Sequence, residues 1–468
     1  MTRTLQISHP PTYRAERRYI HDVLLTGFLG LEYQAREEMR SDVRVSLQGD
    51  ASCKELILAD VLFQTPEHEW LALASLPNQP LDLWSPSEDS VDAKLVSPRV
   101  PIIYGARLPG GSYYEGSRSK ATLGVDIFGS AFFMLTRYEE VVKLDRDARE
   151  RFPAEASLAY QEAFLDRPIV NEYLEVLWWA LKRLWPGLRR QSRAFRVCLS
   201  HDVDRPHCTE SLPRTLKGIV NDVVRRKDPV LAERRARSFA RVRREDLTAD
   251  LCNTFDFIMD LSEDHGLSSS FNFMSARSAG MIDGNYSLNQ PWIRKLLRSI
   301  SERGHEVGIH PSYNTFRSPE RVRREFHLLL KVSETEGIVQ REWGGRQHYL
   351  RWEAPTTWQA WEDSGLDYDA TLSFADRIGF RCGICYEYQV FNLRTSEVLR
   401  LREQPLIVME SSALRKRYMG LTFDQAQREV VSLKERCKLF DGDFTLLWHN
   451  TELVDEHERE LYRSILEA

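Results

Sequence analysis

No stretch of this chain approaches the roughly 18–20 consecutive apolar residues of a membrane span. "VLLTGFLGL" is too short, and "VLWWALKRLW" holds two bases. The opening residues, "TRTLQISHPPTYRAERRY", have no apolar core and do not read as a secretion signal. Cysteine is scarce and odd in number, seven scattered along 468 residues. That argues against a disulfide scaffold and for reduced thiols in a cytoplasmic protein. Cys382 and Cys385 form one Cys-x-x-Cys with no second pair, so they are expected to be packing thiols rather than a structural zinc site. Positive charge is not in excess either. A net charge of −5 offers nothing global to nucleic acid, and no aromatics interleave with the one basic run, residues 223–246. What remains is a folded globular composition, 42% hydrophobic and 28% charged, long enough for two or three domains.

The clearest seam is "RLWPGLRRQSRAF", residues 183–195, where an apolar-periodic helix ("NEYLEVLWWALKRLW") stops at Pro186-Gly187. It divides the chain into residues 1–190 and 191–468. The first part has strand-like runs at "ELILADVLF" and "VPIIYG" and no catalytic constellation. The second alternates strands with helices. Strands are expected at 196–200, 269–274, 305–310, a segment ending near Arg346, 368–372, 406–410 and 445–450. "PWIRKLLRSISERG", "SPERVRREFHLLLKV" and "LTFDQAQREVVSLKERC" carry helix signals, the last opening on a Thr422/Gln425 capping box. This α/β succession implies parallel strands, as a barrel or as an open doubly wound sheet.

In such folds chemistry gathers at the C-terminal ends of the strands. Four strand ends each deliver a polar group: Asp202 and Asp204 in "LSHDVDRP", His310 in "HEVGIH", Arg346, and His449 in "TLLWHN". Two carboxylates at a spacing of two share one face of a strand and repel unless a cation joins them. Asp204 and His310 suit the first two ligands of a divalent metal with an open position for water. Asp202 then serves as base, His449 as the acid that protonates a leaving nitrogen, and Arg346 as the partner that keeps Asp202 ionised. The reaction class is metal-assisted hydrolysis of an amide or ester.

The order Asp-x-Asp, "GHEVGIHPSYN", an arginine-bearing strand end and "LLWH" resembles the polysaccharide deacetylases of carbohydrate esterase family 4, the NodB-homology group, over residues 195–468. The resemblance implies an incomplete (β/α)7 barrel preceded by a separate α/β accessory domain, and removal of acetyl groups from N- or O-acetylated sugars. It also implies a divalent metal, zinc first, with cobalt, nickel or manganese as alternatives. Asp202, Arg346 and His449 fall on the family's base, arginine and acid, and Asp204 and His310 on its metal ligands. Its second ligand histidine falls on Asn314, a weaker zinc donor. His348 is the reserve ligand or a substrate contact, and Tyr313, Asp369 and Trp448 are further expected substrate contacts. His305 is read as structural.

Other readings compete. Asn314 suggests a non-catalytic sugar-binding scaffold on a decayed esterase fold, and the same barrel suits hydrolysis of a small cyclic amide. A glycosyltransferase Asp-x-Asp leaves His310, Arg346 and His449 without a role, and "LDYDATLS" lacks the long apolar strand of a phosphotransfer hydrolase. The basic run 223–246 is a solvated helical face or a contact for an anionic polysaccharide, a lipid-linked sugar or a membrane surface. The oligomeric state is not legible.

Overall fold

A computed structural model describes residues 4–208, 212–225, 227–243 and 246–468; residues 226, 244 and 245 of the basic run lie outside it. The N-terminal part is built on strands β1 (Leu5–His9), β2 (Tyr33–Glu37), β3 (Asp42–Leu47), β4 (Glu55–Ala59), β5 (Asp82–Trp84), β6 (Val100–Ile102), β7 (Tyr114–Gly116) and β8 (Lys120–Leu123). Six of them form a mixed sheet in the order β2-β1-β3-β4-β8-β7, and β5 pairs with β6. β3 alternates half-buried and buried residues, as a sheet with one covered face requires.

The C-terminal part carries β9 (Arg196–Val203), β10 (Ser269–Phe273), β11 (Glu306–Ile309), β12 (Gly344–Gly345), β13 (Tyr368–Asp369), β14 (Tyr388–Asn392), β15 (Glu397–Glu403), β16 (Val408–Met409) and β17 (Asp443–Leu447). They form one sheet, β14-β15-β13-β12-β11-β10-β9-β17-β16. Every pairing is parallel except β14 with β15. The stretch from β15 to β16 touches both flanks of the ladder. Gln404 and Leu406 donate backbone N–H to Asp369 and Leu372 beside β13, while Ile407 donates to Thr445 on β17.

The connecting helices follow their sequence signals. Pro291–Glu302 begins on proline and buries Ile293, Leu296, Leu297 and Ile300, each worth about 1.5–3 kcal/mol of burial. It ends at Gly304, whose φ of +78° a side chain would resist. Phe423–Leu439 opens on the Thr422/Gln425 capping box.

The expected boundary near residue 190 lies between the helix Ile169–Leu184 and β9. Buried apolar side chains from both sides of it nevertheless form one contiguous cluster. Buried charges join the two sides as well. Glu140 pairs with Arg381 at 2.5 Å, and Arg137, itself paired with Glu140, donates to the Arg381 carbonyl. Cys382 and Cys385 are buried thiols. Cys208 and Cys252, expected to be reduced, are bonded to each other, their Cα atoms 5.4 Å apart. No helix among the described residues is long and apolar enough to cross a membrane.

Candidate active site

The parallel strands end on the same side, and five of them supply a functional group there. β9 carries Asp202 and leads into Asp204. His310 follows β11, Arg346 follows β12, Glu410 follows β16 and His449 stands two residues beyond β17. His348 comes two residues after Arg346, in a bend where Tyr349 and Leu350 adopt φ of +60° and +54°. Two successive left-handed residues with side chains are costly, and the turn is held by its surroundings. Leu350 N–H bonds to the Gln347 carbonyl, and Gln347 in turn bonds to Thr315.

The two histidines are fixed by backbone carbonyls. Nδ1 of His310 lies 2.6 Å from the Arg346 carbonyl oxygen, and Nε2 of His348 lies 3.1 Å from that of Ile282. A carbonyl can only accept, so each ring carries its hydrogen there. The remaining nitrogens, Nε2 of His310 and Nδ1 of His348, then face each other as electron-pair donors 2.9 Å apart. Asp204 Oδ1 stands 3.2 Å from the first and 3.3 Å from the second. This oxygen is buried without a hydrogen-bond partner. One proton can relieve only one of these three gaps; a cation relieves all three. The separations are close to the roughly 3.3 Å edge of a tetrahedron drawn at usual zinc–ligand distances.

Beside this trio, Asp202 Oδ1 accepts from Arg346 at 3.0 Å and from Asn272 Nδ2 at 2.8 Å. Asn272 can reach because Gly308 lies alongside, where a Cβ would sit 2.1 Å from the amide oxygen. Burial pushes the Asp202 carboxyl up, but Arg346 and the nearby histidines outweigh it and hold it below the usual carboxylate range. Across the site, His449 Nδ1 lies 2.6 Å from Glu410 Oε1, with Nε2 turned to the cavity 3.9 Å from Asp204 Oδ2. Burial disfavours its charge, yet Glu410 prevails and raises it to about 10. The site thus joins three electron-pair donors, an ionised carboxylate and a protonated imidazole.

Four expected participants lie elsewhere. Asn314 is exposed: its amide donates to the Ser278 carbonyl and accepts from Arg351, so it does not face Asp204 and His310. His348 stands in the third position instead. Tyr313 borders the site through the Tyr349 ring, 5.5 Å away, under the Arg351 guanidinium. Asp369 is fully buried behind the strand ends, accepting from Thr371, and burial raises it to about 7. Trp448 is a core residue packed on Tyr462, its carbonyl hydrogen-bonded to His201. Neither Asp369 nor Trp448 lines the cavity over the site. Glu410 and Asn272 have no role in the sequence reading, although Glu410 ends a strand as the other polar groups do.

The cavity is walled in part by residues remote in sequence: Arg151 from the N-terminal part, and Ser411, Arg415, Arg417 and Tyr418 from the segment after β16.

The family model DUF7033, a family of unknown function, matches residues 5–186. No curated protein matches the sequence. Among solved structures, a Mycobacterium smegmatis protein assigned as a polysaccharide deacetylase aligns over 59% of this chain and 84% of its own, at 15% identity and a TM-score of 0.38. The Xyl-CE4 domain of a multidomain xylanase, from the hindgut metagenome of Trinervitermes trinervoides, aligns over 59% and 82% at 10% identity and a TM-score of 0.28. The allantoinase PuuE aligns over 60% and 85% at 13% identity and a TM-score of 0.34.

Proposed function

We propose that this chain is a metal-dependent hydrolase that removes acetyl groups from N- or O-acetylated sugars. Its C-terminal sheet is read as an incomplete (β/α)7 barrel spanning residues 191–468, and residues 1–190 as an accessory α/β region. The observation that carries the reading is the meeting of Asp204, His310 and His348, whose ligand atoms lie 2.9–3.3 Å from one another. A divalent cation held by them, zinc first, supplies Lewis acidity, lowering the pKa of water and polarising an acyl carbonyl.

The chain's own residues move the protons. Asp202 is ionised, and its Arg346 and Asn272 bonds both fall on Oδ1, leaving Oδ2 to take the proton of the attacking water. His449, kept protonated by Glu410, delivers a proton from Nε2 to the departing nitrogen or oxygen. An amine leaves poorly without that proton, so the strength of the His449–Glu410 pair favours amide substrates. A decayed, non-catalytic fold was suggested by Asn314 alone, and with His348 beside Asp204 that motive falls away.

The test is metal analysis of the purified chain, then acetate release from a panel of N-acetylated and O-acetylated glycans with and without a chelator. Stoichiometric divalent metal with chelator-sensitive release is expected. Metal-free protein, or release that a chelator leaves unchanged, overturns the reading.

A further inference from the structure

The N-terminal part reaches the cavity through one tight turn. Asp147 Oδ1 accepts the backbone N–H of Arg149 and Arg151, and Glu150 takes a left-handed φ of +61° between them. The turn is clamped to the strained His348 bend: Arg151 Nη1 donates to the Tyr349 carbonyl at 3.0 Å, and Glu150 pairs with Arg351. The Arg149 guanidinium carbon lies over the Tyr349 ring, 4.1 Å from its centroid. Arg151 also interacts with the Tyr418 hydroxyl, and Arg417 lies over the Tyr418 ring at 4.8 Å. A continuous belt results, Arg149–Tyr349–Arg151–Tyr418–Arg417, running from the N-terminal turn to the segment after β16.

The belt's charge is not balanced. Arg151 is paired with Asp147 and Arg415 with Glu452, while at the centre Asp202 faces Arg346 and Glu410 faces His449. Arg149 and Arg417 have no carboxylate or hydrogen-bond partner for their guanidinium groups among the described residues. Each guanidinium lies over a tyrosine ring and keeps N–H groups without a protein acceptor among the described residues, donors that an oxyanion can take. Arg417 lines the cavity and Arg149 lies over Tyr349, which lines it, so two uncompensated positive charges there draw anions inward.

We infer that this belt is an anion-binding wall of the substrate site, and that the acylated sugar it receives carries a carboxylate or a phosphate group. The inference rests on the deacetylase reading for the sugar, and it gives the N-terminal region a part in selecting substrate. The test uses the full-length, metal-loaded chain and equilibrium binding of three probes: tetra-N-acetylchitotetraose, its C6-carboxylate counterpart and its C6-phosphate counterpart. At least one acidic probe should bind about tenfold tighter than the neutral one, and the Arg149→Ala/Arg417→Ala double variant should shrink that preference to about twofold or less. Arg149→Lys/Arg417→Lys should keep part of it. Preference for the carboxylate or the phosphate probe names the group. No tighter binding of either acidic probe, or a preference that survives in the double alanine variant, overturns the inference. Acetate release is scored separately: release from the neutral probe without acidic preference leaves the hydrolase standing and sinks the wall. An Arg-dependent preference with no release from any probe does the reverse.

A second observation stands apart from the site. Leu212, Leu216, Val220, Val223 and Val224 are all exposed on the helix Leu212–Val224. Their spacing of three and four places them on one stripe. Residues 212–243 hold ten Lys and Arg against three Asp and Glu, in a chain of net charge −5. An apolar stripe flanked by such surplus charge fits an anionic bilayer surface, and the same charge opposes pairing with a second copy. We infer that this helix, with the basic residues that follow it, docks the protein on anionic lipid. Co-sedimentation with 1:1 phosphatidylglycerol/phosphatidylcholine vesicles should exceed that with phosphatidylcholine alone and be lost in Leu216→Asp/Val220→Asp. Equal sedimentation with both vesicles, or a stripe-dependent dimer in place of lipid binding, overturns it.

Discussion

His310 Nε2 and His348 Nδ1 stand 2.9 Å apart, although each ring directs its hydrogen to a backbone carbonyl on its other side. The arrangement distinguishes His348 from Asn314 as the third ligand. His348→Ala should therefore leave a two-ligand site that loses its metal on dialysis, whereas Asn314→Ala should retain it. Metal content by mass spectrometry decides between them, and equal retention in both variants removes His348 from the site.

Asp202 is held ionised against its burial by Arg346. A base must be deprotonated, so the rate falls as pH drops through the Asp202 value. Arg346→Ala should shift that acidic limb upward. Asp202→Asn should cost about 10²–10⁴ in turnover and leave the metal bound, since Asp204 is untouched. The same pair bears on stability. A folded carboxyl below its ordinary value stabilises above about pH 4 and loses that contribution as pH falls further. Denaturation midpoints of the parent and Arg346→Ala should converge in strong acid, and a constant gap down to pH 2 counts against the pairing.

The partner of His449 sets the other limb. Glu410 raises the imidazole to about 10, and an acid must be protonated, so activity is lost as pH rises through that value. Glu410→Gln should bring the alkaline limb down. His449→Ala should slow amides more than activated esters; equal losses on both would argue against its role as acid.

Asp369 supplies a control away from the cavity. Its buried carboxyl is raised to about 7, so between about pH 4 and 7 the folded chain keeps a proton that the unfolded chain releases. Stability should decline with rising pH across that window, and Asp369→Asn should flatten the decline with turnover changed less than about threefold. A loss of turnover comparable to Asp202→Asn would place Asp369 back in the chemistry.

The strand-end rule made much of the site legible. Asp202, Asp204, His310, Arg346 and His449 are all where alternating strands and helices deliver them. That His348, not Asn314, faces Asp204 and His310 was hidden for a conformational reason. Four residues separate His310 from Asn314, an ordinary ligand spacing, but Ser312 is bonded to Glu325 and Asn314 to Ser278, and the loop turns away. His348 stands just before two left-handed residues, Tyr349 and Leu350, a turn that propensity disfavours. The place of Trp448 was not legible because a tryptophan beside a strand-end histidine reads the same whether it faces the cavity or, as here, the core. The hairpin β14–β15 lies outside the expected strands, and β2, mostly exposed in "YQARE", has no apolar alternation to reveal it.

The pairing of β9 with β17 also bears on how the molecule is made. Arg196 and Asp443, ion-paired across these adjacent strands, are 247 residues apart. At 5–20 residues per second a ribosome takes roughly 12–50 s to cover that distance. Throughout that interval the strand bearing Asp202 has one edge without its neighbour, an open template for pairing with another chain. The basic stretch "RRQSR" immediately before it supplies charge of the kind that discourages such pairing. Nascent chains stalled before residue 443 should therefore aggregate more readily than released full-length chains, which sedimentation of the two populations would measure.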